Sequence, residues 1–373
     1  MESACRETTT KARLDAILAH LAREGYARRE PKLLQPAALF LDRKGEDFRG
    51  RLLLATDAAG GEYCLRPEFT IPVCRDYLAS PEAGKAAAYA YGGAVFRSGA
   101  HGGADELTQA GLESFGRADR EAADVEILGA TLDAAAAAGA RNLRVKLGDA
   151  GIVSAFLDAL ALPPVWRRRL ETGRARGLSL DAIFAPPTGV SEQAGVLAAL
   201  EKVDGADARK LVEDLLSIAG IAAVGGRGAD EIAERFLEQA QLSAGAPVEK
   251  RALAETFFAI EGAPDMASME MRRFADAAGL DLAAALDVFD NRAGFIAARG
   301  LALDEMAFST AFARHLDYYS GFVFEAHHAA DPDGEPLLGG GRYDRMLKTL
   351  GAEADIPAVG AAIFVDRIAA EAA

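Results

Sequence analysis

Residues 313–328 read ARHLDYYSGFVFEAHH. Arg314, Asp317, Tyr318 and Tyr319 stand directly before a segment in which Phe322, Phe324 and Ala326 alternate with Val323 and Glu325. That alternation is the period of a strand with one buried face. Hydrogen-bonding groups at the mouth of a sheet either make a structural ion pair with packed tyrosines or line a pocket for a small polar ligand. Other segments carry comparable equipment. RPEFT (66–70) supplies Glu68 and Thr70, VFR (95–97) Arg97, TQAGLESFG (108–116) Gln109 and Glu113, and VGAAIFVDR (359–367) Arg367. Carboxylates and an amide oxygen accept hydrogen bonds, whereas arginines donate in a fork that matches carboxylate or phosphate.

Simpler chemistries fail on spacing. GGGRY (339–343) and VGGRG (224–228) match neither GxxxxGK(S/T) nor GxGxxG, and VGGRG reads as a turn with positive φ. His327 and His328 are adjacent on a strand and so point to opposite faces, which argues against a shared metal ion. His20 sits on an opening helix as a rim residue. Cys5, Cys64 and Cys74 are an odd number without CxxC spacing. They fit neither a disulfide framework nor structural zinc, and the surroundings of Cys64 and Cys74 do not read as nucleophile activation, which leaves buried packing. No GxSxG elbow is present. No cofactor is expected.

The elements that must position these residues follow from periodicity. Leu14, Ile17, Leu18 and Leu21 stripe one side of a helix over 8–25. Strands are expected at 51–56, 62–65, 88–98, 107–116 and 143–149, with a helix over 119–140. From about 150 to 300 alanine and leucine dominate, in helical patterns at 152–160, 194–201, 208–219, 231–241 and 282–299. Residues 257–261 are a candidate strand there. After 303 strands return. Strand-rich segments flanking a helical block suggest one α+β sheet domain interrupted by an insertion. The boundaries expected are 1–150 and 300–373 for the sheet domain and 151–299 for the helix-rich insertion. The 373 residues, 50% apolar and 26% charged, suit a soluble globular protein. The N-terminus lacks a secretory h-region, no apolar run reaches membrane-span length, and a cytoplasmic setting is expected. A net charge of −15 argues against a long nucleic-acid footprint.

Taken in order, RPEFT, VFR, TQAGLESFG, RHLDYYSGFVFE, GGGRYD and VGAAIFVDR resemble the catalytic core of class II aminoacyl-tRNA synthetases, in the histidyl branch. The resemblance covers roughly 30–150 and 300–370. It implies a six- to seven-stranded antiparallel sheet flanked by helices, dimeric through its first motif. It implies that Glu68 and Gln109 hold an α-amino group, that Glu113 and Tyr319 contact an imidazole, and that Thr70 lies beside them. Tyr318 joins this histidine-binding set. Arg314 faces the carboxylate, and Arg97 and Arg367 match arginines that contact ATP phosphates. An imidazole has two distinct nitrogens and needs a partner for each.

The pattern also departs from the synthetases. Their glutamate two residues past Arg97 is Gly99 here. Residues 99–107, GAHGGADEL, offer His101 as the sole possible cation, where adenylation needs positive charge. Phe69 replaces a glycine, which is expected to narrow the pocket near Thr70. Six residues follow Arg367 in this sequence, and no anticodon-binding domain is expected. A core that keeps an amino-acid site and loses part of the ATP site resembles the regulatory-subunit family of ATP phosphoribosyltransferase. That resemblance implies a non-catalytic protein in which Arg97 and Arg367 are vestigial. The implied partners are the short-form catalytic subunit, L-histidine and a second copy of the chain, with no tRNA. The alternatives left open are an amino-acid-adenylating or truncated synthetase-like enzyme, and a scaffold with a vestigial pocket.

Overall fold

A computed structural model describes residues 2–41, 50, 52–98, 104–185, 242, 245–313 and 318–368. In chain order the helices are α1 (Glu2–Arg23), α2 (Thr70–Leu78), α3 (Arg120–Ala137), α4 (Ala150–Leu160), α5 (Pro164–Ala175), α6 (Leu180–Phe184), α7 (Val248–Phe258), α8 (Pro264–Ala278), α9 (Ala283–Ala298) and α10 (Met346–Thr349). The strands are β1 (Ala27–Arg28), β2 (Leu34–Pro36), β3 (Leu54–Thr56), β4 (Glu62–Leu65), β5 (Ala87–Ser98), β6 (Ala104–Phe115), β7 (Leu143–Asp149), β8 (Glu261–Gly262), β9 (Ala307–Ser309), β10 (Phe322–His328), β11 (Leu338–Arg342) and β12 (Ala358–Phe364).

The large sheet runs β1-β5-β6-β12-β11-β10-β7-β9-β8, and a small one runs β2-β4-β3. From β5 to β7 every pairing is antiparallel. That central block is the antiparallel sheet expected from sequence. Two short parallel pairings, β1 with β5 and β7 with β9, extend it at the edges. Both lie in two- or three-residue strands, too short for a periodic signal.

Alternation gives the sheet two unlike faces. Phe322, Phe324, Ala326, Leu338, Ile363 and Leu112 are buried on one. The helix α3 covers it with small residues, Ala123, Ala130, Ala134 and Ala135, all buried, which let the helix approach closely. The opposite face carries Tyr89 and Tyr91 on β5, Gln109, Gly111 and Glu113 on β6, and Gly360, Ala362 and Phe364 on β12. The register places Gly93 opposite Gln109, Gly360 opposite Glu113, and Gly341 opposite Gly360. A face built from so many small residues leaves depth above the strands.

Contacts divide the described chain into two units, 1–155 with 259–373, and 156–258. The first holds both sheets. The second has its own aromatic core. Phe156 stacks on Phe257 at 3.9 Å and Trp166 lies 5.8 Å from Phe184. Residues 259–299, counted with the insertion from sequence, pack within the first unit instead. Phe289 of α9 meets Phe308 of β9 at 4.7 Å, and Arg292 of α9 reaches into the sheet domain's buried charges. Alanine-rich composition marks a helix but does not say which core it joins. The candidate strand at 257–261 is likewise corrected. Phe257 and Phe258 end α7, and only Glu261–Gly262 pair as a strand. Helices α5 and α8 escaped the sequence reading, although each begins with proline at its first turn, a position that suits a residue without N–H. The expected helices at 194–201, 208–219 and 231–241 lie outside the described residues.

Candidate functional site

Glu113 is the centre of the small-residue face. It is fully buried on β6. Its Oε1 accepts from the Tyr91 hydroxyl at 3.2 Å, and its Oε2 accepts from the Tyr343 hydroxyl. The Thr70 hydroxyl, in the first turn of α2, also bonds it. Burial pushes the Glu113 carboxyl up to about 8 against these hydrogen bonds, and the nearby Glu68 carboxylate pushes the same way. The Tyr91 hydroxyl lies 3.3 Å from the Ala361 carbonyl as well, which fixes the ring across β6 and β12. A Cβ on Gly360 would lie 1.5 Å from Glu113 Oε2, so only glycine at that position leaves room for the carboxyl.

Glu68 serves the start of α2. Its Oε2 accepts from the Thr70 N–H at 3.1 Å and its Oε1 from the Ile71 N–H at 2.9 Å. These donors have no partner within the helix, and a carboxylate there also meets the positive end of the helix dipole. An ionised carboxyl has about four acceptor sites, so capping leaves capacity for a ligand ammonium. Gln109 is 3% exposed, and its Oε1 is buried with no hydrogen-bond partner among the described residues. An unmatched buried acceptor is destabilising by about 1–3 kcal/mol unless something else supplies the proton.

Tyr318 and Tyr319 enter from the segment before β10. Their rings lie 4.8 Å apart, and Tyr318 meets Tyr343 edge-on at 5.8 Å. Tyr319 lies over Gly341; a Cβ there would come within 2.9 Å of its ring. Below them is a buried charge network. Arg342 donates to Asp124 at 2.9 Å and to Asp344 at 2.8 Å. Arg292 donates to Asp124 at 2.9 Å and to Asp149 at 2.6 Å. The Ser320 N–H donates to the Arg342 carbonyl, and the Ser320 hydroxyl accepts from the Asp344 N–H. Tyr343 is thus held from both chain neighbours, and the tyrosine pair is tied to the same anchor.

Arg97 and Arg367 converge on one ring. Their guanidinium carbons lie 5.6 Å and 4.0 Å from the centre of Phe364, the residue paired with Gln109. Arg97 donates to the Pro67 carbonyl at 2.9 Å. Arg367 donates to the Pro336 carbonyl at 2.7 Å and pairs with Glu335 at 2.7 Å. Both arginines are therefore tied into the chain itself. His327 and His328 make separate contacts. His327 Nδ1–H donates to the Gly334 carbonyl, while His328 Nε2 lies near the Arg367 carbonyl.

Glu68, Thr70 and Glu113 are thus brought together, with Gln109 further along the same strand face and Tyr319 over Gly341. Arg314 and the segment 99–103, including Gly99 and His101, lie outside the described residues. Sequence reasoning missed Tyr91 and Tyr343 as partners of Glu113. Tyr91 shares the parity of Gly93 on β5 and Tyr343 lies inside GGGRYD, but neither placement points to Glu113.

The chain matches the histidyl-tRNA synthetase family over residues 5–224 and 208–368. An ATP phosphoribosyltransferase regulatory subunit of Mesorhizobium japonicum is 41% identical over 96% of this chain and 98% of its own length. One from Brucella ovis is 41% identical over 91% and 92%. This chain belongs to the ATP phosphoribosyltransferase regulatory-subunit family. Solved structures agree on the fold. An ATP phosphoribosyltransferase regulatory subunit/histidyl-tRNA synthetase from Bacillus halodurans aligns with a TM-score of 0.66 at 20% identity, covering 97% of this chain and 78% of that one. A histidine–tRNA ligase subunit from Alicyclobacillus acidocaldarius aligns at 0.61 and 25% identity, over 97% and 92%. This chain therefore has a class II synthetase-type α+β fold, as the motifs implied.

Proposed function

We propose that this protein is the non-catalytic regulatory subunit of an ATP phosphoribosyltransferase, that it activates a short catalytic subunit, and that it confers feedback control by histidine. The observation that supports the pocket is Glu113, buried between the Tyr91 and Tyr343 hydroxyls, on the strand that also carries the unmatched Gln109 Oε1. In this reading Glu68 and Gln109 take the ligand's ammonium. Glu113 and Tyr319 take the two imidazole nitrogens, with Thr70 and Tyr318 closing the sides. Arg314 takes the carboxylate. Glu113 and an imidazole share one proton at neutral pH, either as acid and neutral ring or as carboxylate and imidazolium. Both arrangements satisfy a buried carboxyl that strongly disfavours lone charge.

Arg97 and Arg367 are vestigial in this proposal, because their donors serve the Pro67 and Pro336 carbonyls and Glu335. The protein acts in the cytoplasm, without tRNA, as a dimer through the synthetase-like core. Leu33, Leu34 and Leu54 are exposed on or beside the small sheet β2-β4-β3 and suit an apolar contact there. The deciding experiment reconstitutes the chain with a short catalytic subunit and measures phosphoribosyl transfer. Activity rises on mixing and falls with saturating histidine. Full activity at saturating histidine removes the feedback role, and robust histidine-dependent pyrophosphate exchange by the chain alone replaces the proposal with an adenylating enzyme. Linkage adds a further check: if histidine favours the inhibited complex, complex formation changes histidine affinity by the same factor.

A further inference from the structure

Phe69 lies outside the ligand set but against one of its supports. Its ring is 1% exposed and stacks on Tyr91 with centroids 4.6 Å apart and planes 12° apart. The Arg66 guanidinium lies over the same ring, 4.0 Å from its centre. Arg66 is itself immobilised. Its Nε donates to the Ala94 carbonyl at 2.8 Å and one terminal nitrogen to the Pro31 carbonyl at 2.7 Å. The stack therefore runs from β5 and the segment before β2, through guanidinium and phenyl, to the Tyr91 ring. It ends at a hydroxyl 3.2 Å from Glu113 Oε1.

We infer that Phe69 is a positioning residue for the histidine pocket, acting through Tyr91 to hold a hydrogen-bond donor on Glu113; the inference rests on the histidine-binding reading above. The physical ground is geometric. A tyrosine whose hydroxyl must serve both Glu113 and the Ala361 carbonyl tolerates little rotation, and a flat ring stack limits tilt in a way that a branched side chain of similar volume does not. The acidic group that meets the imidazole is thereby oriented before the ligand arrives, which reduces the ordering needed on binding. The phenyl ring that interrupts the RPEFT motif has its contact with Tyr91, and its effect on the ligand is indirect.

The test is a double-mutant cycle read by calorimetric titration of histidine into the full chain, alone and in complex with the catalytic subunit. Tyr91→Phe keeps the ring stack and deletes the donor. Phe69→Leu keeps most of the core volume and deletes the flat stack. Expected losses in affinity are about tenfold for Tyr91→Phe, about fivefold for Phe69→Leu, and still about tenfold for the double variant, because residues acting through one another are non-additive. A double variant weaker by the product, about fiftyfold, overturns the inference, as does Phe69→Leu with wild-type affinity. Melting temperature separates folding from positioning, and if Phe69→Leu fails to fold, Phe69→Met, which also lacks a flat ring, replaces it in the same cycle. Should the wild-type chain and its complex bind no histidine, the pocket reading itself falls and takes this inference with it; binding with additive effects removes this inference alone.

Discussion

Glu113 holds a proton that the unfolded chain would release. Its carboxyl rises from the usual 4.5 to about 8 in the folded protein, mainly through burial. Between those values the folded state binds more protons than the unfolded state, so stability falls as pH rises through that window. The contribution is fully present below pH 4.5 and lost by pH 8. Glu113→Gln keeps the shape without the titration. Its melting temperature is expected to change less between pH 5 and pH 8 than that of the wild type, measured by calorimetry at matched ionic strength. The same variant is expected to bind histidine at least about tenfold more weakly, since one hydrogen bond to a charged partner contributes about 1.5–3 kcal/mol. Gly360→Ala makes a sterically opposite test. The new methyl would occupy the space of Glu113 Oε2. Overpacking of this kind is destabilising by about 1–3 kcal/mol, and calorimetry should show loss of histidine binding with it.

At the scale of elements, the site depends on three strands and one anchored segment. The β5–β6 pairing brings Tyr91 beside Gly111, and β12 supplies the glycine under Glu113. The segment carrying Tyr318–Ser320 is tied to β11 through Arg342 and Asp344. That anchor extends to α9 through Arg292, which bridges Asp124 of α3 and Asp149 at the end of β7. Asp149 in turn accepts from the Gly151 and Ile152 N–H groups and so starts α4. All of these charges are buried. Arg292→Ala leaves Asp124 and Asp149 short of a partner and is expected to cost about 3–5 kcal/mol in urea denaturation. Arg272→Ala, which breaks the half-exposed pairs with Asp287 and Asp290 between α8 and α9, is expected to cost less than about 1 kcal/mol.

For the whole molecule, the acidic surface and the two compact units set the terms of association. With a net charge of −15, two copies or a second acidic partner repel at long range, so any stable assembly relies on apolar contact and local pairing. Raising salt screens that repulsion. Self-association is therefore expected to persist or strengthen from low to physiological salt, as read by analytical ultracentrifugation, and weakening across that range would overturn this account. Among the described residues no helix is long and apolar enough to cross a membrane.

Periodicity and residue chemistry determined much of this in advance. Long strands with strict alternation, such as 143–149, and the 120–137 helix were legible because each pattern is a local property of the chain. The motifs that carry Glu68, Thr70, Gln109, Glu113 and Tyr319 were legible because their residue types at those places match one family. What the sequence left open was set by contacts between distant segments. Tyr91 and Tyr343 reach the two oxygens of Glu113 across 22 and 230 residues of chain, and no local pattern encodes that meeting. The same holds for α8 and α9, whose composition matched the helical block. Buried ion pairs to Asp124 and Asp149 and the packing of Phe289 on Phe308 placed α9 with the sheet. Local sequence fixes which face of an element is apolar; only the packed chain decides which core that face joins.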